Sequence, residues 1–496
     1  MAVEEQSTTK EIQGNSTIGS LVWKFGERMT AQLVSTVVAI ILARILTPND
    51  YGIVAIVNII ITICNAFVSG GLGNSLIQKK NADELDFSSM FFFSLGLSGV
   101  LYGMVFLLAK PIAVFYNNEI LVGIIRVMGL RLPFAAVNSI QQAYISRKMQ
   151  FRKFFVATLF GTIVSAFVGI SMAISGFGPW ALVFQYLTNV IIDTTVLFFV
   201  GGWRPRLSFS LRRVKELLPF GLKVMGTTLL DTIFNEIRSV IISAKYSPQD
   251  LAMYDNGRKY PNLIVTNVNT SIGSVMFPVM SKEQDNRDRI KMTMKRSIEV
   301  SCFLVAPMLL GFMACAHRFV SVILTSKWNS CVPYIWITCV MCLFYPIHTI
   351  NIQALNAIGQ SGKTLRLEVI KKVLNIIVLL VTMRFGVVWI ALGAMIVSLA
   401  STYINAMFSK EYFGYSFLNQ LIDMAPSLLL SVVMAGCVFL FDCKINLNEV
   451  LMLFLDILLG IGVYLVGACV FHNKALYILI GKIKPILALV KRRSRK

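Results

Sequence analysis

The chain has 496 residues, of which 56% are hydrophobic and only 14% charged, with a mean hydropathy of +0.70. Lys and Arg number 46 against 25 Asp and Glu, a net charge of +21. A soluble domain is about a quarter charged, so soluble domains are excluded. A nucleic-acid binder would not dilute its basic residues with 20-residue apolar runs, and no polar stretch is long enough for a receptor ectodomain. The balance fits a polytopic inner-membrane protein with basic cytoplasmic loops.

In chain order, the polar and partly acidic MAVEEQSTTKEIQGN start lacks the basic region and small-residue site of a cleaved signal, so the first helix is expected to remain. Apolar runs then predict spans over 18–44, 51–77, 87–109, 120–145, 154–175, 180–200, 217–244, 252–279, 297–316, 332–358, 365–383, 387–409, 421–441 and 450–471. Backbone groups in lipid must pair within their own segment, so these are helices, about fourteen of them. With the break after the tenth span taken as 359–372, so that it includes the charged start of the eleventh, the even-numbered breaks and both termini hold 31 Lys and Arg, and the opposite breaks hold 7. The positive-inside rule therefore predicts both termini in the cytoplasm. Trp180, Trp328 and Trp389 fall near outer span ends and Trp23 and Trp203 near inner ones, as interfacial aromatics would. Pro133, Pro261, Pro278, Pro307 and Pro346 interrupt spans and mark expected bends.

The first twelve spans repeat once. Thr47-Pro48-Asn49-Asp50 recurs as Ser247-Pro248-Gln249-Asp250, Gln142-Ala143 as Gln353-Ala354, and the stretch around Gly178-Pro179-Trp180 loosely as the stretch around Gly386-Val387-Val388-Trp389. Three matches in order at nearly one offset predict two parallel six-helix halves with two helices added. The expected organisation is a six-helix lobe over 1–215, a second over 216–410, two more helices over 411–471 and a basic cytoplasmic tail over 472–496. Parallel halves in a membrane commonly enclose a substrate between them.

Nothing points to an enzyme. His317, His348 and His472 are the only histidines and none has metal-ligand spacing to a partner. Gly359-Gln360-Ser361-Gly362-Lys363-Thr364 is too short for a phosphate loop and follows no strand. Cys339 and Cys342 form a C-x-x-C inside a span, where two small core residues are expected. No cofactor or metal is expected. The outward breaks leave no room for a catalytic domain.

Charge inside the spans is the informative remainder. Apart from those counted with the breaks, eight cations lie there: Lys24, Arg28, Arg126, Arg131, Lys223, Arg238, Arg258 and Lys259. Each costs about 2.5–3.5 kcal/mol at mid-span if it faces lipid, so each should face protein or water. Lys24 and Lys223 lie close enough to an inner end to snorkel, and intramembrane ion pairs could hold others. Arg28, Arg131 and Arg258 are staggered across the bilayer, which suggests a path for an anion, and the planar guanidinium suits phosphate oxygens. Carboxylates and amides within spans, among them Asp193, Asp231, Asn235, Glu236, Asn375 and Thr402, are candidates for ion coupling or for hydrogen bonds between helices.

Leu42-Ala43-Arg44-Ile45-Leu46-Thr47-Pro48-Asn49-Asp50-Tyr51-Gly52 resembles the signature after the first helix of Wzx-type polysaccharide flippases. Gly70-Gly71-Leu72-Gly73-Asn74-Ser75-Leu76-Ile77-Gln78 resembles the end of their second helix, and Gln141-Gln142-Ala143-Tyr144 with Arg147-Lys148-Met149-Gln150-Phe151 the exit of their fourth. The likeness covers essentially the whole chain. It implies the multidrug/oligosaccharidyl-lipid/polysaccharide exporter superfamily, an all-α fold, and a bacterial inner-membrane flippase that moves undecaprenyl-diphosphate-linked oligosaccharide to the outer leaflet by alternating access. It also implies membrane lipids, a polysaccharide polymerase and chain-length machinery as partners, and no nucleic acid. By helix, Arg28 and Arg258 match positions where a related flippase keeps arginines. The set Lys24, Arg28, Arg126, Arg131, Arg238, Arg258 and Lys259 is then the expected cationic cavity. Asp231, Asn235, Asn375 and Thr402 are the nearest equivalents of that relative's sodium site, with Na+ or H+ as the coupling ion. A drug or organic-cation exporter on the same fold would instead want an acidic cavity. A polysaccharide polymerase or ligase would need a large outward loop.

Overall fold

The structure, a computed structural model, describes residues 32–445 and 447–481. The chain divides into two compact units, Met1–Ala252 and Met253–Lys496. The first contains α1 (Gln32–Ile45), α2 (Pro48–Ser69), α3 (Leu72–Gln78), α4 (Glu84–Phe115), α5 (Ile120–Gly129), α6 (Arg131–Arg147), α7 (Arg152–Ile174), α8 (Pro179–Val200) and α9 (Leu211–Lys245). α10 (Pro248–Lys282) starts in this unit and continues into the next. The second unit goes on with α11 (Arg287–Ala314), α12 (Ala316–Phe319), a π turn and a 3-10 turn over 320–331, α13 (Val332–Leu343), α14 (Tyr345–Ala357), α15 (Ser361–Thr382), α16 (Val387–Phe413), α17 (Phe417–Lys444), α18 (Glu449–Val470) and α19 over 474–481.

The fold is all-helical and membrane-spanning. Among the described residues, twelve helical segments are long and apolar enough to cross a bilayer. The first predicted span is described only from Gln32. The eleventh is the helix α15, whose first half carries Lys363, Arg366, Glu368, Lys371 and Lys372 and is too charged to count with the twelve. The count of fourteen is therefore not confirmed.

The sequence repeat is a repeat of local structure. Thr47 caps α2: its Oγ1 accepts from the Asp50 N–H at 3.2 Å, while Asp50 Oδ2 accepts from the Thr47 N–H at 2.9 Å. Ser247 and Asp250 make the same reciprocal pair at the start of α10, at 3.1 and 3.2 Å. This is the capping box, with proline at the first helical position where no N–H is needed. The predicted fourth span breaks after Gly129 into α5 and α6, and the tenth breaks after Leu343 into α13 and α14. Pro133 and Pro346 sit just past the breaks, where a proline ring clashes with the carbonyl four residues back. α8 and α16 each begin after a glycine with positive φ, Gly178 at 57° and Gly386 at 122°. The repeat boundary at 215 is a matter of sequence pairing, and the compact units follow packing instead: α9 lies against α2, α3 and α4.

Within the first unit, one apolar core joins α1, α2, α4, α5, α6, α7 and α8 through Leu42, Val57, Val105, Leu121, Leu132, Ala166 and Leu182. A second core under α3, α4, α6 and α9 is built on Trp203, whose ring meets Phe87, Phe91 and Tyr144 at 5.7–6.1 Å. Trp203 and Trp328 are 5% and 0% exposed, so both are core residues and the interfacial role expected for them is corrected. Their indoles fill space that smaller side chains would leave empty. Trp389, 54% exposed, does lie on the surface.

Basic residues gather around the end of α3 and the start of α4. Asp86, buried, receives Lys79 at 2.8 Å and Arg213 at 3.6 Å, Glu84 receives Arg206 at 2.7 Å, and Arg147 donates to the carbonyls of Leu76 and Lys80. In the second unit α11 packs on α17, and α16 against α13, α14 and α15. A buried amide seam crosses it: Asn351 Nδ2 donates to Gln420 Oε1 at 2.9 Å, and Asn351 Oδ1 accepts from Ser409 at 2.6 Å and from Gln420 at 3.1 Å. Cys339 and Cys342 are buried free thiols in α13, as expected of core residues.

Candidate functional site

The break between α5 and α6 positions two of the predicted cations. Arg126 lies in the last turn of α5 and Arg131 is the first residue of α6. Arg131 donates from Nη1 to Asn58 Oδ1 of α2 at 3.1 Å, and its guanidinium stands 5.4 Å from the centre of the Tyr186 ring of α8. Arg126 stacks 4.1 Å from the centre of the Phe106 ring of α4. The Nε of each is buried and makes no hydrogen bond. Among the described residues neither arginine has a carboxylate within ion-pair distance. An aromatic face holds a cation in place without neutralising it, so the charge stays available to an anion.

The second unit repeats that device. The Arg258 guanidinium is 5.0 Å from the Tyr254 ring centre, and Lys259 Nζ is 6.0 Å from that of Tyr260. Lys259 is exposed and Arg258 half-buried. Arg238 is half-buried on α9. Lys24 and Arg28 lie outside the described residues.

The expected coupling residues divide between the units. Asp231 and Asn235 are exposed on α9 in the first, and Asn375 and Thr402 belong to α15 and α16 in the second. Thr402 is buried, and its hydroxyl donates to the Ser398 carbonyl at 2.9 Å, one turn back in its own helix.

Other polar groups take partners that periodicity does not reveal. Asp193 of α8 accepts from Asn138 Nδ2 of α6 at 2.5 Å, and Thr194 donates to the Phe134 carbonyl at 3.3 Å. In the second unit Asn405 Nδ2 and His348 Nδ1 are 2.6 Å apart. Arg318 pairs with Asp442 and stands 3.7 Å from the buried Asp456. Each such residue could be noticed as polar within an apolar run; the partner, tens of residues away, could not.

A family model described as "Polysaccharide biosynthesis protein" matches residues 41–333, more than half of the chain. The chain belongs to that family. The expected kinship with polysaccharide-biosynthesis membrane proteins is thereby borne out. The succinoglycan biosynthesis transport protein ExoT of Rhizobium meliloti is 26% identical over 288 residues, 58% of each chain. The chain thus spans little more than half the length of that relative. The lipopolysaccharide biosynthesis protein WzxC of Escherichia coli is 24% identical over 392 residues, 77% of this chain and 79% of its own. The lipid II flippase MurJ, solved in an inward closed conformation, superposes with a TM-score of 0.75 at 14% identity, covering 92% of this chain and all of that one. At that identity the likeness establishes the fold.

Proposed function

We propose that this family member flips undecaprenyl-diphosphate-linked oligosaccharide from the inner to the outer leaflet of a bacterial inner membrane by alternating access, feeding surface polysaccharide assembly. The observation that carries the reading is Arg131. It is a cation within a membrane-spanning segment, oriented by Asn58 and Tyr186, with a buried Nε that has no partner. A buried, incompletely satisfied guanidinium is costly unless a ligand completes it, and diphosphate oxygens match its planar fork. Arg126, Arg238, Arg258 and Lys259, together with Lys24 and Arg28, are proposed as the further cations of that anion's route. The bias of 31 basic residues to 7 supports cytoplasmic termini.

On this reading the protein is a transporter rather than an enzyme. Transport is coupled to Na+ or H+, with Asp231, Asn235, Asn375 and Thr402 as the residues to examine. A polymerase and chain-length machinery receive its product. In cells lacking the gene, wild-type protein restores surface polysaccharide, whereas Arg131→Ala is made at wild-type level, stays in the membrane and restores little. Full restoration by Arg131→Ala would sink the anion route through this residue.

A further inference from the structure

The first unit also contains a polar cavity of about 410 Å³ between α2, α3, α6 and α8. Its walls include Asn65, Ser69, Asn74, Asn138, Ser139 and Gln142. None of its lining residues is charged and none is aromatic. Asn138 is 7% exposed, and its Oδ1 accepts no hydrogen bond, although its amide nitrogen is fixed on Asp193 at 2.5 Å. The buried Oδ1 of Asn65 is likewise without a partner. Gln142 and Asn74 are exposed side chains at the cavity wall.

The chemistry of these walls selects a ligand. With no cation in the lining, the cavity has nothing to hold an anion. With no carboxylate or aromatic face in it, an organic cation has no counterpart either. A hydrocarbon chain would leave the amides unsatisfied in an apolar bundle, which is costly. Carboxamides and hydroxyls both donate and accept, and so do the hydroxyls of a sugar. The orphaned amide oxygens would be completed by donating O–H groups.

Position links this cavity to Arg131. Asn58 and Asn65 are seven residues apart on α2, and Arg131 and Asn138 are seven apart on α6. Seven residues are two helical turns, so members of each pair lie on one face about 10 Å apart. Asn58 with Arg131 and Asn65 with Asn138 therefore form two rungs between the same helices, one cationic and one built of neutral amides.

We propose that this cavity is the saccharide subsite of the first unit: it binds the sugar that follows the diphosphate, while Arg131 holds the diphosphate. The inference rests on the flippase reading and adds to it the residues that recognise the neutral part of the cargo. Asn65, Asn138 and Gln142 supply the hydrogen bonds, and Asp193 orients Asn138.

The full-length protein in lipid nanodiscs would be titrated with undecaprenyl diphosphate alone and with the same lipid bearing one glucose, one galactose or one N-acetylglucosamine, read by native mass spectrometry. Wild type should hold at least one glycosylated lipid more tightly than the bare one. Asn74→Ala/Gln142→Ala changes only exposed side chains, and should reduce that preference about tenfold, or ~1.4 kcal/mol, without changing affinity for the bare lipid. Asn138→Ala should do the same. An undiminished preference in both variants, or equal loss for bare and glycosylated lipid, overturns the subsite. Wild type binding the bare lipid with no gain from any sugar also removes the subsite but leaves the flippase reading. Failure of wild type to bind any of these lipids removes both.

Discussion

Gly52 stands where α2 meets the start of α10, and a methyl group there tests how tightly the two repeated helix starts are joined. A Cβ on Gly52 would lie 1.9 Å from the Pro248 carbonyl oxygen and 2.2 Å from its carbon, against 3.4 Å or more for ordinary contact. Both obstacles are backbone, so no side chain can swing aside, and one capping box must shift relative to the other. Overpacking of this kind costs about 1–3 kcal/mol. A unit of about 250 residues loses ~2–4 °C in melting temperature per kcal/mol, so Gly52→Ala should melt about 2–12 °C lower than wild type. The assay is thermal unfolding of purified protein followed by tryptophan fluorescence, since the buried Trp203 reports on this unit. Gly96→Ala is the control, because a Cβ there meets nothing within 4 Å. Equal melting of the two variants would refute the close approach of Gly52 to Pro248.

The acid sensitivity of the α4 cap has a definite sign. The Asp86 N–H donated to Asp83 at 2.8 Å, and then the Arg213 guanidinium at 3.2 Å, hold the Asp83 carboxyl below its ordinary value of 3.8. A carboxyl depressed in the folded state stabilises fully above that ordinary value and loses the contribution as pH falls through the lower folded value. Asp83→Asn keeps a capping side chain but should flatten the acid-side fall of melting temperature below about pH 4; an identical fall in the variant would refute the assignment. In the second unit, Asn351→Ala removes the partner of the buried Gln420 Oε1 and Ser409 hydroxyl, while Gln420 Nε2 keeps the Tyr415 carbonyl at 3.2 Å, and should cost about 1–3 kcal/mol. Adding Gln420→Leu should cost less than the sum of the two single changes, and strict additivity in a double-mutant cycle would show that the pair is not coupled.

Local rules made much of the fold legible. The apolar runs located the helices because backbone satisfaction in lipid leaves no other spanning structure. The motifs Thr47-Pro48-Asn49-Asp50 and Ser247-Pro248-Gln249-Asp250 marked a repeat because both encode one capping box, which needs only four consecutive residues. The depth of Trp203 was not legible. Its place near a span end looked interfacial, and only the fold of 201–210 onto α4, where the Arg206 and Ser210 N–H groups donate to Ser88 and Ser89, buries it. The α15 segment read as a span on hydropathy alone, although its charged half weakens that signal. For the candidate site, sequence identified Arg131 as costly inside a span but not that Asn58, 73 residues earlier, would orient it. Nor could periodicity show that Arg126 would be laid on Phe106 of α4.

The central claim is that this chain carries a lipid-linked saccharide across a bilayer on a cationic route that includes Arg131. The most direct measurement reconstitutes the purified protein into liposomes holding fluorescent undecaprenyl-diphosphate-linked oligosaccharide, and follows exposure of the saccharide on the opposite leaflet under an imposed Na+ or H+ gradient. The account predicts protein-dependent translocation that one of the two gradients drives and that Arg131→Ala largely abolishes. No translocation under either gradient, or translocation that Arg131→Ala leaves at the wild-type rate, would contradict it.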